Sequence, residues 1–181
     1  MKRILILVLL IALATVAVFA NGEAEGAPEV PQLEGFSSAT AAGVSVQWNV
    51  DGDTITVQAS AGTTGWVAVG FDPSRQMADA NIIIGYVEDG ELFISDDYGV
   101  SRISHAPDTE NGGSNDIVSA EGDERDGVTT IRFTIPLDSG DAMDKPLEPG
   151  TTYTVIVAYG PNDADDFGTY HATRGSFEME L

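Results

Sequence analysis

The chain contains no cysteine. This absence excludes disulfides, thiolate metal sites, iron–sulfur clusters and the C-x-x-C-H attachment of a c-type haem. Any cofactor must therefore be held without a bond to cysteine sulfur.

Basic residues are also few. Only 8 Lys and Arg stand against 29 Asp and Glu, which gives the 181-residue chain a formal net charge of -21. Such a surface repels a phosphate backbone, so nucleic acid is not an expected partner. The hydrophobic share of 43% is ordinary for a globular protein, and the length suits one domain.

Motifs of the common catalytic classes are missing as well. The sequence has no G-x-S-x-G, no H-E-x-x-H, no P-loop and no G-x-G-x-x-G that follows a strand. With only two histidines, His105 and His171, a triad or a three-histidine zinc site is hard to build. We therefore expect a domain without a catalytic motif of its own.

The first twenty residues have the pattern of an export signal. Lys2 and Arg3 precede an apolar run over 4–18, and Val18-Phe19-Ala20 forms a small-residue cleavage site. A retained anchor is the less favoured alternative, because the run is shorter than the ~20 residues of a spanning helix. We expect a signal peptide over 1–20 and a periplasmic or extracellular mature chain without a membrane span.

Residues 21–35 are rich in acids, prolines and glycines, which predicts a flexible acidic leader before a domain over 36–181. Within that domain the apolar residues alternate with a period of two, as in Val44, Val46 and Trp48. Asp51-Gly52 and Asp89-Gly90 are hairpin signals, and no sustained 3.6-residue repeat follows residue 20. These patterns predict an all-β sandwich or barrel.

Further strands are predicted over 66–71, 81–88, 91–95, 116–120, 128–137, 152–159 and 176–181. The segment 81–87 is apolar on both faces, so we expect it at the centre of a sheet.

The methionines of the domain differ in their surroundings. Met179 alternates with Phe177 and Leu181, which predicts a position in the core, whereas Met143 lies in a polar loop without aromatic neighbours. Met77 lies between the strands predicted over 66–71 and 81–88, on a loop at the rim of the fold. Its thioether is a soft, polarizable group at the rim of the sandwich.

The two histidines differ too. His105 is expected in a loop, as an exposed imidazole. His171 shares odd parity with Phe177 and Leu181, so a regular strand would point it to the apolar side. It is then either a hydrogen-bonded core histidine or a ligand.

Two acidic loops, 122–127 and 162–166, group oxygen ligands that suit calcium. Neither fits an EF-hand, because a loop that starts at Asp163 has Phe167 at its fifth position and Arg174 at its twelfth. A solvated loop is the favoured interpretation, with a surface calcium site as the alternative.

Several of these residues together carry a family resemblance. The segments GWVAVGF (65–71) and ANIIIGYV (80–87), with Met77 between them, and VAYG (157–160), followed by Tyr170-His171 and Arg174-Gly175, resemble a DOMON domain. The resemblance is to the haem-binding cytochrome branch of that family, typified by the cytochrome domain of cellobiose dehydrogenase. It covers about 36–181.

The resemblance implies an antiparallel β-sandwich with an immunoglobulin-like arrangement of two sheets. It also implies a non-covalent haem b with Met77 and His171 as axial ligands to the iron. Two occupied axial positions leave none for oxygen, so the implied activity is electron transfer with a separate redox protein. The net charge of -21 favours a partner with a basic surface.

The same resemblance suggests further cofactor-binding residues. Haem propionates need cationic or hydroxyl partners, for which the candidates are Arg75, Tyr98, Tyr170 and Arg174. Four aromatic residues either line the haem slot or fill the core: Trp66, Phe71, Tyr86 and Tyr159. The alternative function is a carbohydrate-binding module on the same fold, with Trp48, Trp66 or Tyr98 as stacking platforms.

Overall fold

The computed structural model describes residues 26–181, so the predicted signal peptide lies outside the described residues. Within this range the chain forms eleven strands and a short 3₁₀ turn at Asp108–Glu110. The strands are β1 (Ser37–Ala41), β2 (Val44–Asp51), β3 (Thr54–Ala61), β4 (Val67–Phe71), β5 (Asn81–Glu88), β6 (Glu91–Ser101), β7 (Ser104–Pro107), β8 (Ser119–Arg125), β9 (Val128–Pro136), β10 (Thr152–Tyr159) and β11 (Thr173–Glu180).

The strands form two antiparallel sheets. The first has the order β1-β2-β3-β9-β8, and the second has the order β11-β10-β4-β5-β6-β7. This arrangement confirms the predicted all-β sandwich. In the second sheet β5 lies between β4 and β6, and most of its residues are buried, as its two apolar faces predict.

Both predicted hairpins are present. β2 and β3 pair through Asp51↔Thr54, and β5 and β6 pair through Glu88↔Glu91. Asp89 and Gly90 have φ of 54° and 79°. A positive φ at both loop residues is what a type I′ turn requires.

Three strands differ in extent from the sequence prediction. β6 continues to Ser101 because Asp96 and Asp97 are buried strand residues, although adjacent acids are typical of a loop. β8 begins at Ser119, since the backbone N–H of Asp116 donates to the Asp96 carboxylate instead of a strand partner. β11 begins at Thr173, three residues earlier than expected.

The main core lies between the two sheets and contains Met179, as predicted. Its largest fully buried side chains include Phe133, Ile55, Ile83 and Ile131. Trp48 belongs to this core, and its indole N–H donates to the Glu180 carbonyl at 3.2 Å.

A second apolar cluster, here called the outer cluster, lies apart from the main core. Its buried members are Trp66, Ala68, Ala80, Ile82, Ile84 and Ala164, and its partly buried members are Met77, Tyr86, Ile156, Ala158 and Phe167. The strand members alternate with Val67, Val69, Ile83, Val155 and Val157 of the main core. The second sheet therefore has apolar side chains on both faces.

The described part of the predicted leader contacts the first sheet. The Gln47 side chain is 2% exposed, accepts a hydrogen bond from the Leu33 N–H at 2.7 Å and donates to the Pro31 carbonyl at 3.0 Å. Within 26–181, no helix is long and apolar enough to cross a membrane.

Candidate functional site

The loop that carries Met77 connects β4 to β5 and is anchored to β6. The N–H of Asp79 donates to the Gly99 carbonyl at 2.8 Å, and the Gly99 N–H donates to the Ala80 carbonyl at 2.9 Å. Ser74 and Tyr98 donate their hydroxyls to the Asp79 carboxylate. These two hydrogen bonds, Ser74 first, hold the pKa of Asp79 below its usual value.

Met77 itself is partly buried and packs against the outer cluster. Its backbone lies directly on β6, because a Cβ placed on Gly99 would be 1.6 Å from the Met77 carbonyl oxygen. The absence of a side chain at Gly99 is therefore what allows the loop to lie at this position.

The loop that carries His171 connects β10 to β11 and is built around Trp66. The Trp66 indole N–H donates to the Thr169 carbonyl at 3.2 Å, and the Gly160 N–H donates to the Trp66 carbonyl at 2.8 Å. A Cβ on Gly160 would lie 2.6 Å from the Trp66 indole nitrogen. Glycine is therefore required where this loop leaves β10.

His171 lies just before β11, so the alternation of a strand does not determine its orientation. It is partly buried, and its Nε2 lies 3.1 Å from Nη1 of Arg174. Arginine has no acceptor, so Nε2 must be the accepting atom and carries a lone pair. An unprotonated Nε2 is a nitrogen that can bind a metal.

Strand register places the two loops at opposite ends of the outer cluster. β10 pairs with β4 from Val155↔Phe71 to Tyr159↔Val67. The Met77 loop follows Phe71, whereas the His171 loop follows Tyr159. The sheet between them spans four strand steps, or about 13 Å.

The aromatic candidates separate onto the two faces of the second sheet. Trp66 and Tyr86 belong to the outer cluster, whereas Phe71 and Tyr159 pack against the main core. Phe71 and Tyr159 alternate with the outward residues of their strands, so their side chains face the main core.

The polar candidates occupy different surroundings. Arg174 is exposed beside His171, and Tyr98 is partly buried against Asp79. Arg75 is exposed on the Met77 loop, and Tyr170 is 87% exposed next to His171. Among these four, Arg174 is the one in contact with a predicted ligand.

The proposed sugar platforms are covered by protein. Trp48 is 7% exposed and Trp66 is 5% exposed, so neither ring offers a face to a sugar. The third, Tyr98, uses its hydroxyl to hold Asp79.

Phe167 is a member of the outer cluster that the sequence motifs did not indicate. Its ring packs on Tyr86 with centroids 5.0 Å apart. It lies within an acidic loop, which conceals it from a search for apolar alternation. Ile156 and Ala158 were detectable, since β10 is apolar on both faces over 155–158.

The prediction for His105 was wrong. It lies on β7 and is partly buried, with Nδ1 2.5 Å from Oδ2 of Asp97, a residue that is 2% exposed. The reason is that β6 extends past the expected end and brings a buried carboxylate beside it.

The model of the DOMON domain family matches residues 41–160. This chain belongs to the DOMON domain family. The matched segment includes Met77 and the strands β4, β5 and β10, which carry the outer cluster, and it ends before His171.

Curated relatives share the domain over part of their length. The chain is 30% identical over 136 residues to "DBH-like monooxygenase protein 1" of Homo sapiens, which covers 74% of this chain and 21% of that protein. It is 28% identical over 166 residues to "DBH-like monooxygenase protein 2" of Mus musculus, covering 90% and 26%. The chain thus spans about a quarter of these relatives or less.

Two solved structures share the fold. The cytochrome b domain of pyranose dehydrogenase from Coprinopsis cinerea superposes with a TM-score of 0.54 at 14% identity, over 75% of each chain. The cytochrome domain of Myriococcum thermophilum cellobiose dehydrogenase gives a TM-score of 0.54 at 11% identity, over 76% of this chain and 74% of that one. The predicted DOMON sandwich is therefore confirmed.

Proposed function

We propose that this DOMON domain is a b-type cytochrome domain. It would hold a non-covalent haem b against the outer face of its second sheet and exchange electrons with a separate redox protein. The observation that carries the proposal is the outer cluster, with Met77 on a loop at one end and His171 on a loop at the other.

The donor set suits a haem iron. A methionine thioether and a neutral imidazole are a known axial pair in electron-transfer cytochromes. The chain has no cysteine, so attachment through thioether bonds to cysteine is excluded. Two residues of the outer cluster, Ala68 and Ala158, have small side chains, which favours the close approach of a flat group to the sheet.

When bound, the haem would supply reversible one-electron transfer, and Met77 and His171 would hold its iron. The chain's own residues would fix the potential and exclude water. Trp66, Tyr86 and Phe167 cover the outer face with aromatic surface, and burial of this kind tunes the potential.

Arg174 has a second role in this proposal. Its guanidinium donates to Nε2 of His171, the same atom that would bind iron. Arg174 is exposed beside His171, so its guanidinium would be available to hold a haem propionate through a charge-assisted pair.

The charge of the chain indicates the kind of redox partner. With a net charge of -21, association is expected with a basic surface and should weaken as salt rises. We also propose that the protein is exported to the periplasm or the exterior. The mature chain would then consist of a leader over 21–35 and a domain over 36–181. The two similar solved structures, both named as cytochrome domains of dehydrogenases, support it.

The test is the visible spectrum of the protein with haem, oxidised and reduced, for the wild type, Met77→Ala and His171→Ala. We expect a six-coordinate low-spin spectrum that either substitution abolishes. Met143→Ala and His105→Gln are the matched controls, because Met143 is a partly buried loop methionine and His105 is the other histidine. Both should keep the wild-type spectrum.

Two results would overturn the assignment. A wild-type chain that stays colourless with excess haem would contradict haem binding. Loss of the low-spin spectrum in His105→Gln, with His171→Ala unaffected, would show that the wrong histidine was chosen. Far-ultraviolet circular dichroism confirms that each variant is folded.

A further inference from the structure

A cluster of acidic residues lies away from the outer cluster. Asp96 is on β6, Asp116 is on the connection from the 3₁₀ turn to β8, and Asp144 is on the connection from β9 to β10. One carboxylate oxygen from each lies within 4.8 Å of the others. Three segments that are distant in sequence thus bring carboxylates to one point.

Two carboxylates of this group, those of Asp96 and Asp144, each have a buried oxygen without a hydrogen bond, whereas the partly buried Asp116 accepts from the Ser114 hydroxyl. Asp96 is 3% exposed, and its Oδ2 accepts from the Asp116 N–H at 2.8 Å while Oδ1 has no partner. Oδ1 of Asp144 is likewise buried and unpartnered. An unpaired buried carboxylate is costly, so these oxygens need a positive partner.

Asp108 strengthens the same pattern. It is 0% exposed, and neither of its carboxylate oxygens has a hydrogen-bond partner. It lies close enough for the charges of Asp96 and Asp144 to act on it. The Asn81 amide oxygen is also buried without a partner, on the same face of the sheet and diagonal to Asp96.

Basic side chains of the described residues do not neutralise this group. Lys145 follows Asp144 directly, but its Nζ lies 3.2 Å from Oδ2 of Asp72. The other ion pairs within 26–181 are His105–Asp97, Arg125–Asp123 and Arg132–Glu121. The buried oxygens are therefore left without a protein cation.

The electrostatics agree with the geometry. Burial, and then the neighbouring carboxylates, raises the pKa of Asp96 to about 6 and that of Asp108 and Asp144 to about 7. The ordinary value is near 4. A multivalent cation would reverse this penalty by favouring the ionised forms.

We propose that Asp96, Asp116 and Asp144 bind a calcium ion, with Asp108 and the Asn81 amide oxygen as further candidate ligands. All of these donors are hard oxygens, and none is sulfur or imidazole. Irregular connections supply most of the carboxylates, which suits calcium's flexible coordination by 6–8 oxygens better than the strict octahedron of magnesium.

The ion would tie the 3₁₀ turn and the connections before β8 and β10 to the second sheet. Asp141 already links these connections, since its carboxylate accepts the N–H groups of Ser114 and Met143. The acidic segments noted in the sequence are different, because Asp123 lies on β8 and pairs with Arg125, and Asp166 accepts the N–H groups of Gly168 and Thr169.

The experiment is calorimetric titration of chelator-treated full-length chain with calcium chloride, alongside thermal unfolding with and without calcium. Neither readout involves haem, so its result is independent of the cytochrome proposal. We expect one calcium per chain. At a concentration about a hundredfold above Kd, the unfolding midpoint should rise by roughly 5–10 °C.

Asp116→Asn and Asp144→Asn should each weaken calcium binding by roughly tenfold or more, because each removes a charged ligand oxygen. Without calcium, both should unfold at or above the wild-type temperature, since they relieve repulsion. Asp138→Asn, an exposed acid on the same connection as Asp144, is the matched control and should bind like the wild type.

Absence of calcium binding by the wild type would overturn the proposal. So would equal calcium binding by Asp116→Asn and Asp144→Asn, or tighter binding of magnesium than of calcium.

Discussion

Replacement of Gly99 by alanine tests how the Met77 loop is positioned. The new Cβ would lie 1.6 Å from the Met77 carbonyl oxygen and 2.7 Å from its carbonyl carbon. Ordinary contact begins near 3.4 Å, so the loop and β6 must separate by about 2 Å. Both contacts are with backbone atoms, which cannot rotate away.

The cost can be worked out from the contacts that separate. Overpacking of a tight interior costs about 1–3 kcal/mol. The separation also breaks the Asp79–Gly99 and Gly99–Ala80 backbone hydrogen bonds, each worth about 1 kcal/mol. We therefore expect Gly99→Ala to lose about 3–5 kcal/mol of unfolding free energy, or roughly 6–20 °C in the unfolding midpoint.

The assay is urea unfolding followed by tryptophan fluorescence, compared with Gly62→Ala. Gly62 is exposed and is not in the left-handed region, and a Cβ placed on it would have no atom within 4 Å. Its alanine variant should therefore lie within about 0.5 kcal/mol of the wild type. A Gly99→Ala variant as stable as Gly62→Ala would refute the reasoning. If it folds, its haem spectrum should also show reduced Met77 ligation.

Two further predictions concern stability. Thr129→Val should lower the unfolding free energy, measured by urea unfolding, by about 1–3 kcal/mol. The buried Thr129 hydroxyl donates to the Thr63 carbonyl at 2.9 Å, and valine would leave that carbonyl unpaired. A smaller loss would contradict this reasoning. The Thr169 hydroxyl, then the N–H groups of Gly168 and Thr169, lower the pKa of Asp166. Its contribution is thus present above the unfolded pKa and lost as pH falls through the folded pKa. Asp166→Asn should lower the unfolding midpoint at pH 6, and the difference from the wild type should vanish as pH falls through the lowered folded pKa of Asp166.

The alternating segments were well predicted because their evidence is local. β2, β3 and β5 follow from alternation and hairpin turns, which depend on neighbouring residues alone. The prediction ended β6 too early because adjacent acids such as Asp96 and Asp97 are typical of loops. Only the packed structure shows that both are buried. His105 was misjudged for the same reason.

The candidate site was predicted in part. The strand–Met77–strand segment and the Tyr170-His171 pair were found as motifs, and the structure places their loops at opposite ends of one sheet. Phe167 could not be found in this way, since its contact with Tyr86 joins residues far apart in the chain. The carboxylates of the proposed calcium site likewise lie at no spacing in the sequence that is typical of a metal site.

The sequence by itself determined the all-β class, the hairpins and the types of functional group available as ligands, because composition and period-two alternation are properties of the chain alone. Only the tertiary structure decided whether a given face of the sheet packs in the main core or in the outer cluster. Phe71 and Trp66 are both aromatic and close in sequence, yet Phe71 lies in the main core and Trp66 lies in the outer cluster. Alternation shows which residues share a face, but strand pairing and sheet packing determine what covers that face.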